Sequence, residues 1–205
     1  MQKREDFLKS SLAAAAGISL LGTSATPTPN PGPTPFPYDV CVKNPALPYD
    51  RPIDIAMQAL DAPDFHLVAY RDHPVLLNIF ATWCGPCNEE MPSLIAAANS
   101  YYDRGLRVIG INYAEPDDTV RSFRKKYAIP YPIAMDRDGR FTNALQRGKA
   151  SVDLLFPVTL FITPSGFLYC DAHGAMSKRE QIYRIEKFLG ATKSVPPLPE
   201  ISVFD

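Results

Sequence analysis

One short stretch constrains the fold of this chain more than any other, because it joins a buried strand to a redox-capable pair of cysteines. The run from Val75 to Ala81 is almost continuously apolar, which is typical of a strand buried on both faces of a sheet. Trp83-Cys84-Gly85-Pro86-Cys87 follows almost directly, and a helical pattern begins near Asn88. The stretch predicts a strand, a turn and a helix, with both cysteines at the junction.

The spacing of these two cysteines suits thiol–disulfide exchange. The first sulfur lies at the N-terminus of the predicted helix, where unpaired backbone N–H groups and the helix dipole favour a thiolate. The second lies one turn later and can attack a mixed disulfide formed by the first. Cys84 is therefore the predicted nucleophile and Cys87 the resolving thiol. Half of a zinc site is the alternative, but the other cysteines and three scattered histidines show no second paired spacing, so we predict no metal.

The composition allows one domain of ordinary size with an extension at each end. The chain has 205 residues, of which 46% are hydrophobic, and its formal net charge of −1 argues against a nucleic-acid-binding surface. Much of the proline lies near the two ends. We predict an export signal over residues 1–25, a proline-rich linker over 26–48, a globular domain over 49–190 and a proline-rich tail over 191–205.

The first 25 residues have the three parts of an export signal. A basic start is followed by an apolar, alanine-rich run from Leu12 to Leu21 and then by two small residues at a cleavage site. The basic and small residues are Lys3, Arg4, Lys9, Thr23 and Ala25. The apolar run is shorter than the about 20 residues that span a bilayer. We predict a periplasmic or otherwise exported protein, with an uncleaved anchor or an amphipathic soluble helix as alternatives.

Apolar periodicity in the globular part predicts strands separated by helices, then a hairpin and a last helix. The predicted strands cover 65–70, 75–81, 106–112, 133–135, 158–162 and 167–170. The predicted helices cover 53–60, about 88–102, a segment that begins at Pro116, and 177–190 with a buried stripe of Ile182, Ile185 and Leu189. This order predicts an α/β fold, a three-layer α/β/α sandwich with a central mixed β-sheet.

Five segments, in their order along the chain, resemble the thioredoxin superfamily, and within it the TlpA/ResA-like exported thiol–disulfide oxidoreductases, which are related to AhpC/TSA and redoxin proteins. The segments are Ala62-Pro63-Asp64-Phe65, 75–87, Glu90-Met91-Pro92, 108–112 and 156–162. The resemblance implies a thioredoxin-like fold over roughly residues 61–190. Asn78 replaces the buried aspartate of thioredoxin, and Glu90 matches a glutamate of the TlpA/ResA branch; both favour the exported branch.

The resemblance also implies site residues beside the two cysteines. Glu90, one helical turn after Cys87, would relay a proton to or from that thiol; a solvated helix residue is the alternative. Pro157 matches the family's cis-proline, beside which an extended peptide pairs with Phe156 as an added strand; an ordinary trans proline at a strand start is the alternative. Phe156 is bulkier than the residue expected there. Trp83 is expected to pack as a lid, and with Phe156 and Pro157 it completes the predicted substrate-binding set.

The two remaining cysteines are Cys41 and Cys170. In an oxidising compartment they can form a structural disulfide that fastens the N-terminal segment to a late strand. Two buried thiols, or a redox relay with the Cys84–Cys87 pair, are the alternatives, because the sequence does not give the Cα separation that a disulfide requires.

We predict an extracytoplasmic thiol–disulfide oxidoreductase that reduces protein disulfides and uses no cofactor beyond its own cysteine pair. Gly85 and Pro86 match the motif of thioredoxin, which is strongly reducing at about −270 mV. The implied partners are protein disulfide substrates and a membrane thiol electron donor. One alternative is a thiol peroxidase, although Leu77 and Ala81 break the P-x-x-x-T-x-x-C pattern. The other is a non-enzymatic thioredoxin-fold binding or assembly module.

Overall fold

A computed structural model describes residues 47–62, 64–146 and 156–193 of the chain. The predicted export signal, nearly all of the linker including Cys41, and most of the C-terminal tail lie outside these ranges. No helix in the described part of the chain has both the length and the apolar character needed to cross a membrane.

A mixed five-stranded sheet forms the centre of the fold, and a small two-stranded pair accompanies it. The pair is antiparallel and consists of β1 (Ala56–Met57) and β2 (Phe65–His66). The sheet consists of β3 (Val75–Phe80), β4 (Arg107–Tyr113), β5 (Ile133–Asp136), β6 (Val158–Ile162) and β7 (Leu168–His173). Its spatial order is β5-β4-β3-β6-β7. β3, β4 and β5 are mutually parallel, whereas β6 is antiparallel to both β3 and β7.

Four helices accompany the strands in the described ranges: α1 (Gly85–Ser100), α2 (Asp117–Tyr127), α3 (Arg140–Gln146) and α4 (Lys178–Lys193). Every residue of β3 and β6 is buried, as expected of central strands that are covered on both faces. The helices flank the sheet, and the predicted α/β sandwich with a mixed central sheet is confirmed. β3 lies in the middle, so the turn that follows it opens at the centre of one sheet edge.

The helix predicted over residues 53–60 is wrong, because this segment is extended. Its apolar residues alternate with polar or small ones, a period-two pattern that outweighs the helix propensity of its alanine, methionine and leucine. The segment is tied to its neighbours by backbone hydrogen bonds. They run from Ile53 N–H to Gly166 O (2.8 Å), from Leu60 N–H to Ile133 O (2.9 Å) and from Met135 N–H to Gln58 O (2.8 Å).

Several other element boundaries differ from the sequence prediction. The predicted strand over 65–70 is a strand only at Phe65–His66, and Leu67–Tyr70 forms a 3₁₀ turn. The helix α3 was not predicted from the sequence. Its first turn is capped by the buried Asp136, whose carboxylate accepts the N–H groups of Phe141 (3.2 Å) and Thr142 (2.8 Å).

The last helix is longer than predicted and buries a different stripe. α4 continues past Gly190 to Lys193, so this glycine does not end it. Ile182 is 42% exposed, whereas Ile185 and Leu189 are buried together with Phe188. The ring of Phe188 packs against Phe161 of β6 with its centroid at 5.5 Å, which explains why this side of the helix faces the sheet.

Candidate active site

The junction between β3 and α1 places the cysteine pair. Cys84 is the N-cap of α1 in an extended conformation, and its sulfur accepts the N–H of Cys87 at 3.1 Å. Pro86 lies in the first turn, where its fixed φ suits a helix and its missing N–H costs no hydrogen bond. α1 therefore begins at Gly85, three residues before the predicted start, and the first sulfur has the predicted position at a helix N-terminus.

Cys84 and Cys87 form a disulfide, with their Cα atoms 5.3 Å apart. Both cysteines are buried, whereas Gly85 and Pro86 between them are exposed. The neighbouring Trp83 is 64% exposed. A substrate can therefore approach the disulfide from the side of Trp83 and the Gly85-Pro86 turn, while the rest of α1 shields it.

Glu90 lies one turn further along α1 and is buried, with only 2% of its surface exposed. Its two carboxyl oxygens accept hydrogen bonds from the Met176 backbone N–H (3.2 Å) and the Asn78 amide (3.3 Å). Burial raises the pKa of Glu90 to about 7; the bonds from Met176 and Asn78 oppose this shift, and the like charge of Glu180 adds to it. Its two protonation states are thus close in free energy near neutral pH.

Asn78 connects Glu90 to the neighbouring strand β6. Its amide nitrogen also donates to the Thr159 hydroxyl at 3.0 Å, and Asn78 and Thr159 are paired residues of the antiparallel β3–β6 ladder. Both side chains are buried. The ladder therefore fixes the position of the Asn78 amide that faces Glu90. This amide is neutral, whereas an aspartate at position 78 would add a second charge.

The peptide bond between Phe156 and Pro157 is cis, directly before β6. The ring of Phe156 is buried and has an edge contact with Trp83, with centroids 5.8 Å apart. It also contacts Tyr113 at the end of β4, with centroids 5.2 Å apart. The structure thus brings Trp83 and Phe156 into contact, with Pro157 next to Phe156 in the chain, and adds Tyr113, which the sequence analysis did not identify.

A second buried glutamate near the cysteine pair was missed by sequence reasoning. Glu115 follows β4, and its carboxylate accepts hydrogen bonds from both the backbone N–H (2.7 Å) and the hydroxyl of Thr82. The side chain of Asn88 contacts the same turn from α1. Neither residue was identified from the sequence: Thr82 lies 33 positions from Glu115, and the bonds of Asn88 to the turn belong to no motif that the sequence analysis used.

Cys170 is buried on β7. Its predicted partner Cys41 lies outside the described residues, so their pairing stays a prediction.

Comparison with known proteins places the chain in a family. The sequence profile of the AhpC/TSA family matches residues 49–170, more than half of the chain. The chain belongs to this family. The match extends from the extended segment before β1 to β7 and includes both Cys84 and Cys87.

The chain is similar in sequence to a thiol–disulfide oxidoreductase and similar in fold to two solved structures. The thiol-disulfide oxidoreductase ResA of Geobacillus thermodenitrificans is 29% identical over 127 residues, which cover 62% of this chain and 70% of ResA. A thioredoxin-family thiol:disulfide interchange protein of Chlorobium tepidum has a TM-score of 0.57 at 25% identity and covers 68% of this chain and 98% of its own. A secreted thiol-disulfide isomerase of Corynebacterium glutamicum has a TM-score of 0.61 at 19% identity, over 68% and 86% of the two chains.

These similarities confirm the predicted thioredoxin-like fold and the resemblance to ResA-like proteins. With its Cys84-x-x-Cys87 pair, the chain is a thiol–disulfide oxidoreductase of this type, and the predicted enzyme class is confirmed.

Proposed function

We propose that this protein reduces disulfides of protein substrates outside the cytoplasm, by dithiol–disulfide exchange through Cys84 and Cys87. The observation that carries the proposal is the cysteine pair at the start of α1 with the buried Glu90 one turn further on. The basic start and apolar run of residues 1–25 support an extracytoplasmic location.

The reaction transfers two electrons from the cysteine pair to the substrate. The Cys84 thiolate attacks one sulfur of the substrate disulfide, which forms a mixed disulfide and releases the other substrate sulfur as a thiolate. The Cys87 thiolate then attacks the sulfur of Cys84 and releases the second substrate thiolate. The protein ends with the Cys84–Cys87 disulfide, and the substrate ends with two thiols after protonation.

Two features of the helix start stabilise the attacking thiolate. Lowering a thiol pKa from about 8.5 to about 7 needs roughly 2 kcal/mol. A helix N-terminus contributes up to ~2 kcal/mol in a favourable geometry, and the N–H of Cys87 points at the Cys84 sulfur. Cys84, at the N-cap, therefore acts as the nucleophile.

Glu90 accepts the proton of the Cys87 thiol in this mechanism. Cys87 must lose a proton before it attacks, and a base is most effective when its pKa lies near the working pH. The Glu90 pKa of about 7 meets this condition. An ordinary exposed glutamate would be too weak a base at neutral pH.

In this proposal the substrate binds at Trp83, Phe156 and Pro157. An extended substrate segment would lie along the backbone before β6 and place its disulfide over Cys84, in the manner of an added strand. The buried Phe156 ring packs against the exposed Trp83 and against Tyr113, so its bulk lies inside the protein. This inward orientation supports the proposed docking mode even though Phe156 is a large residue before the cis-proline.

The reducing direction rests on Gly85 and Pro86, the residues that thioredoxin has between its cysteines. Each catalytic cycle leaves the pair oxidised, so a thiol electron donor must reduce it again. A membrane thiol carrier fits an extracytoplasmic protein, because the donor must deliver electrons to that side of the membrane.

The decisive experiment compares the reduction of insulin by wild-type protein and variants, with dithiothreitol as the electron source. Wild type should accelerate insulin reduction over dithiothreitol alone, and Cys84→Ser should abolish the acceleration. Cys170→Ala is the control, because it removes a buried cysteine on β7 that does not belong to the Cys84–Cys87 pair. An equal rate for Cys84→Ser and wild type would refute the proposal, and consumption of hydrogen peroxide without insulin reduction would favour a thiol peroxidase instead.

A further inference from the structure

Asn88, in the first turns of α1, binds the backbone of the turn that precedes it. Its side-chain nitrogen donates to the carbonyl oxygens of Thr82 (3.0 Å) and Cys84 (2.7 Å). Its side-chain oxygen accepts the hydroxyl of Tyr127 from α2 at 2.9 Å. Both amide hydrogens and the amide oxygen are therefore in use, which fixes the orientation of the group.

Glu115 holds the same turn through different groups. Its carboxylate accepts the N–H (2.7 Å) and the hydroxyl of Thr82, and the Asn112 amide donates to the same carboxylate at 2.7 Å. Thr82 is thus bound through its N–H and hydroxyl by Glu115 and through its carbonyl by Asn88. We refer to Asn88 and Glu115 together as the turn clamp.

The turn needs such a clamp most when the cysteine pair is reduced. Trp83, in the middle of the turn, is 64% exposed and contributes little buried surface to hold it. In the oxidised protein the disulfide fixes the Cys84 sulfur to that of Cys87. Reduction removes this bond, and the position of the sulfur then depends on the backbone conformation of Cys84, which the hydrogen bonds to the turn help to hold.

We propose that Asn88 is a positioning residue for Cys84, which keeps the reduced sulfur at the N-cap and draws the neighbouring carbonyl groups toward its own amide. The inference rests on the proposed function, in which Cys84 is the attacking thiolate. A carbonyl oxygen carries partial negative charge, so a carbonyl that turned toward a thiolate would destabilise it. The Asn88 side chain binds both carbonyls, and the Cys84 carbonyl also accepts the backbone N–H of Asn88 at 3.1 Å, so the sulfur instead faces the N–H of Cys87.

Loss of the Asn88 amide should therefore shift both the Cys84 pKa and the redox equilibrium in a defined direction. The reduced turn becomes looser, the thiolate loses stabilisation, and the pKa of Cys84 rises. Because the reduced form is weakened more than the disulfide form, the equilibrium with glutathione shifts toward the Cys84–Cys87 disulfide. A side chain that only stabilised the fold would move neither quantity.

The test uses the full chain with its cysteine pair reduced, and it follows alkylation of Cys84 by iodoacetamide as a function of pH with mass spectrometry. Asn88→Ala should raise the Cys84 pKa by about one unit, which from a starting pKa near 7 is about a fivefold loss of thiolate at neutral pH. Tyr127→Phe, which only frees the amide oxygen of Asn88, should lower the thiolate fraction about threefold. Asn99→Ala makes the same change near the other end of α1 and should match wild type.

Wild-type pKa values and wild-type glutathione equilibria in both Asn88→Ala and Tyr127→Phe would overturn the proposal. If Asn88→Ala does not fold, Tyr127→Phe decides alone, since it keeps the ring that packs on Phe123 with centroids 4.7 Å apart. The readout is independent of turnover: failure of wild type to reduce insulin would overturn the proposed function, whereas alkylation of Cys84 would still report its position.

Discussion

Two buried glutamates lie on either side of the cysteine pair, and their surroundings differ in a way that assigns them different tasks. Glu90 is 2% exposed and accepts two long hydrogen bonds, at 3.2 and 3.3 Å. Glu115 is 9% exposed and accepts three, two of them from N–H groups at 2.7 Å. Charge-assisted hydrogen bonds of the shorter kind are the stronger ones.

The comparison shows that burial alone does not decide what a carboxyl group does. Glu90 is buried with weak compensation, so its pKa rises to about 7 and a proton can join or leave it near neutral pH. Glu115 is surrounded by donors that belong to the backbone and side chains of two neighbouring segments. The first is suited to proton exchange during resolution, and the second to holding the turn before Cys84.

The largest expected effect is on stability, from removal of the Glu115 carboxylate. Glu115→Ala leaves two donors of Thr82 and one of Asn112 without their acceptor and should lower the free energy of unfolding by about 4 kcal/mol. Glu115→Gln should recover most of this loss, because one amide oxygen can accept both N–H groups and the amide nitrogen can donate to the Thr82 hydroxyl. Urea denaturation of the oxidised protein measures both. Equal losses for alanine and glutamine would show that these bonds do not hold the turn.

The next effect is the pH dependence of stability due to Glu90. Its pKa is about 7 in the folded protein against 4.5 for an ordinary glutamate side chain, so the native state binds more protons than the unfolded state between these values. The free energy of unfolding should therefore fall as pH rises from about 4.5 to about 7, by up to about 3 kcal/mol. Glu90→Gln removes the titrating group and should be stabilised relative to wild type more at pH 8 than at pH 5.

Glu89→Gln is the matched control for this measurement, because Glu89 is the exposed neighbour on the same helix. Urea unfolding at the two pH values should show no such difference for it. An identical gain of Glu90→Gln at both pH values would mean that the Glu90 pKa is not raised in the folded protein.

The smallest expected effect is kinetic and concerns the resolution step. Reduced protein that reacts with dithionitrobenzoate forms a mixed disulfide at Cys84, and Cys87 then releases the second thionitrobenzoate. In wild type the release should accelerate as pH rises through about 7, since Glu90 becomes available as a base. Glu90→Gln should lack this inflection and release the thiol about a hundredfold more slowly above pH 7. An unchanged profile would leave Glu90 without a role in proton transfer.

Sequence reasoning predicted the central strands well, because their signal is local. β6 has the predicted bounds, β3 ends one residue earlier than predicted, and β4 is displaced by one residue at both ends. It failed where tertiary contacts override propensity. Residues 53–60 were assigned to a helix on the strength of good helix formers, yet backbone groups of the sheet region and of a hairpin turn were available to bind them in an extended form.

The residues of the candidate site also divide into those that the sequence predicted and those that it did not. The position of Cys84 at a helix start and the cis peptide before Pro157 agree with the sequence prediction, and the roles of Glu90, Trp83 and Phe156 stay proposals that the geometry supports. Tyr113, Asn88 and Glu115 were not predicted, because nothing in their own neighbourhood marks them. Tyr113 and Glu115 acquire their roles through contacts with residues far away in sequence, and Asn88, which binds the adjacent turn, is also bound by Tyr127 of α2.

The sequence by itself determined the strand, the turn and the helix around Trp83-Cys84-Gly85-Pro86-Cys87, and with them the chemistry of the pair. Residues three apart at a helix start are close whatever the rest of the chain does. Only the tertiary structure decided how the surrounding carboxyl groups behave. Glu90 is bound by residues 12 and 86 positions away and Glu115 by one 33 positions away, and both desolvation and hydrogen-bond partners are properties of the packed molecule.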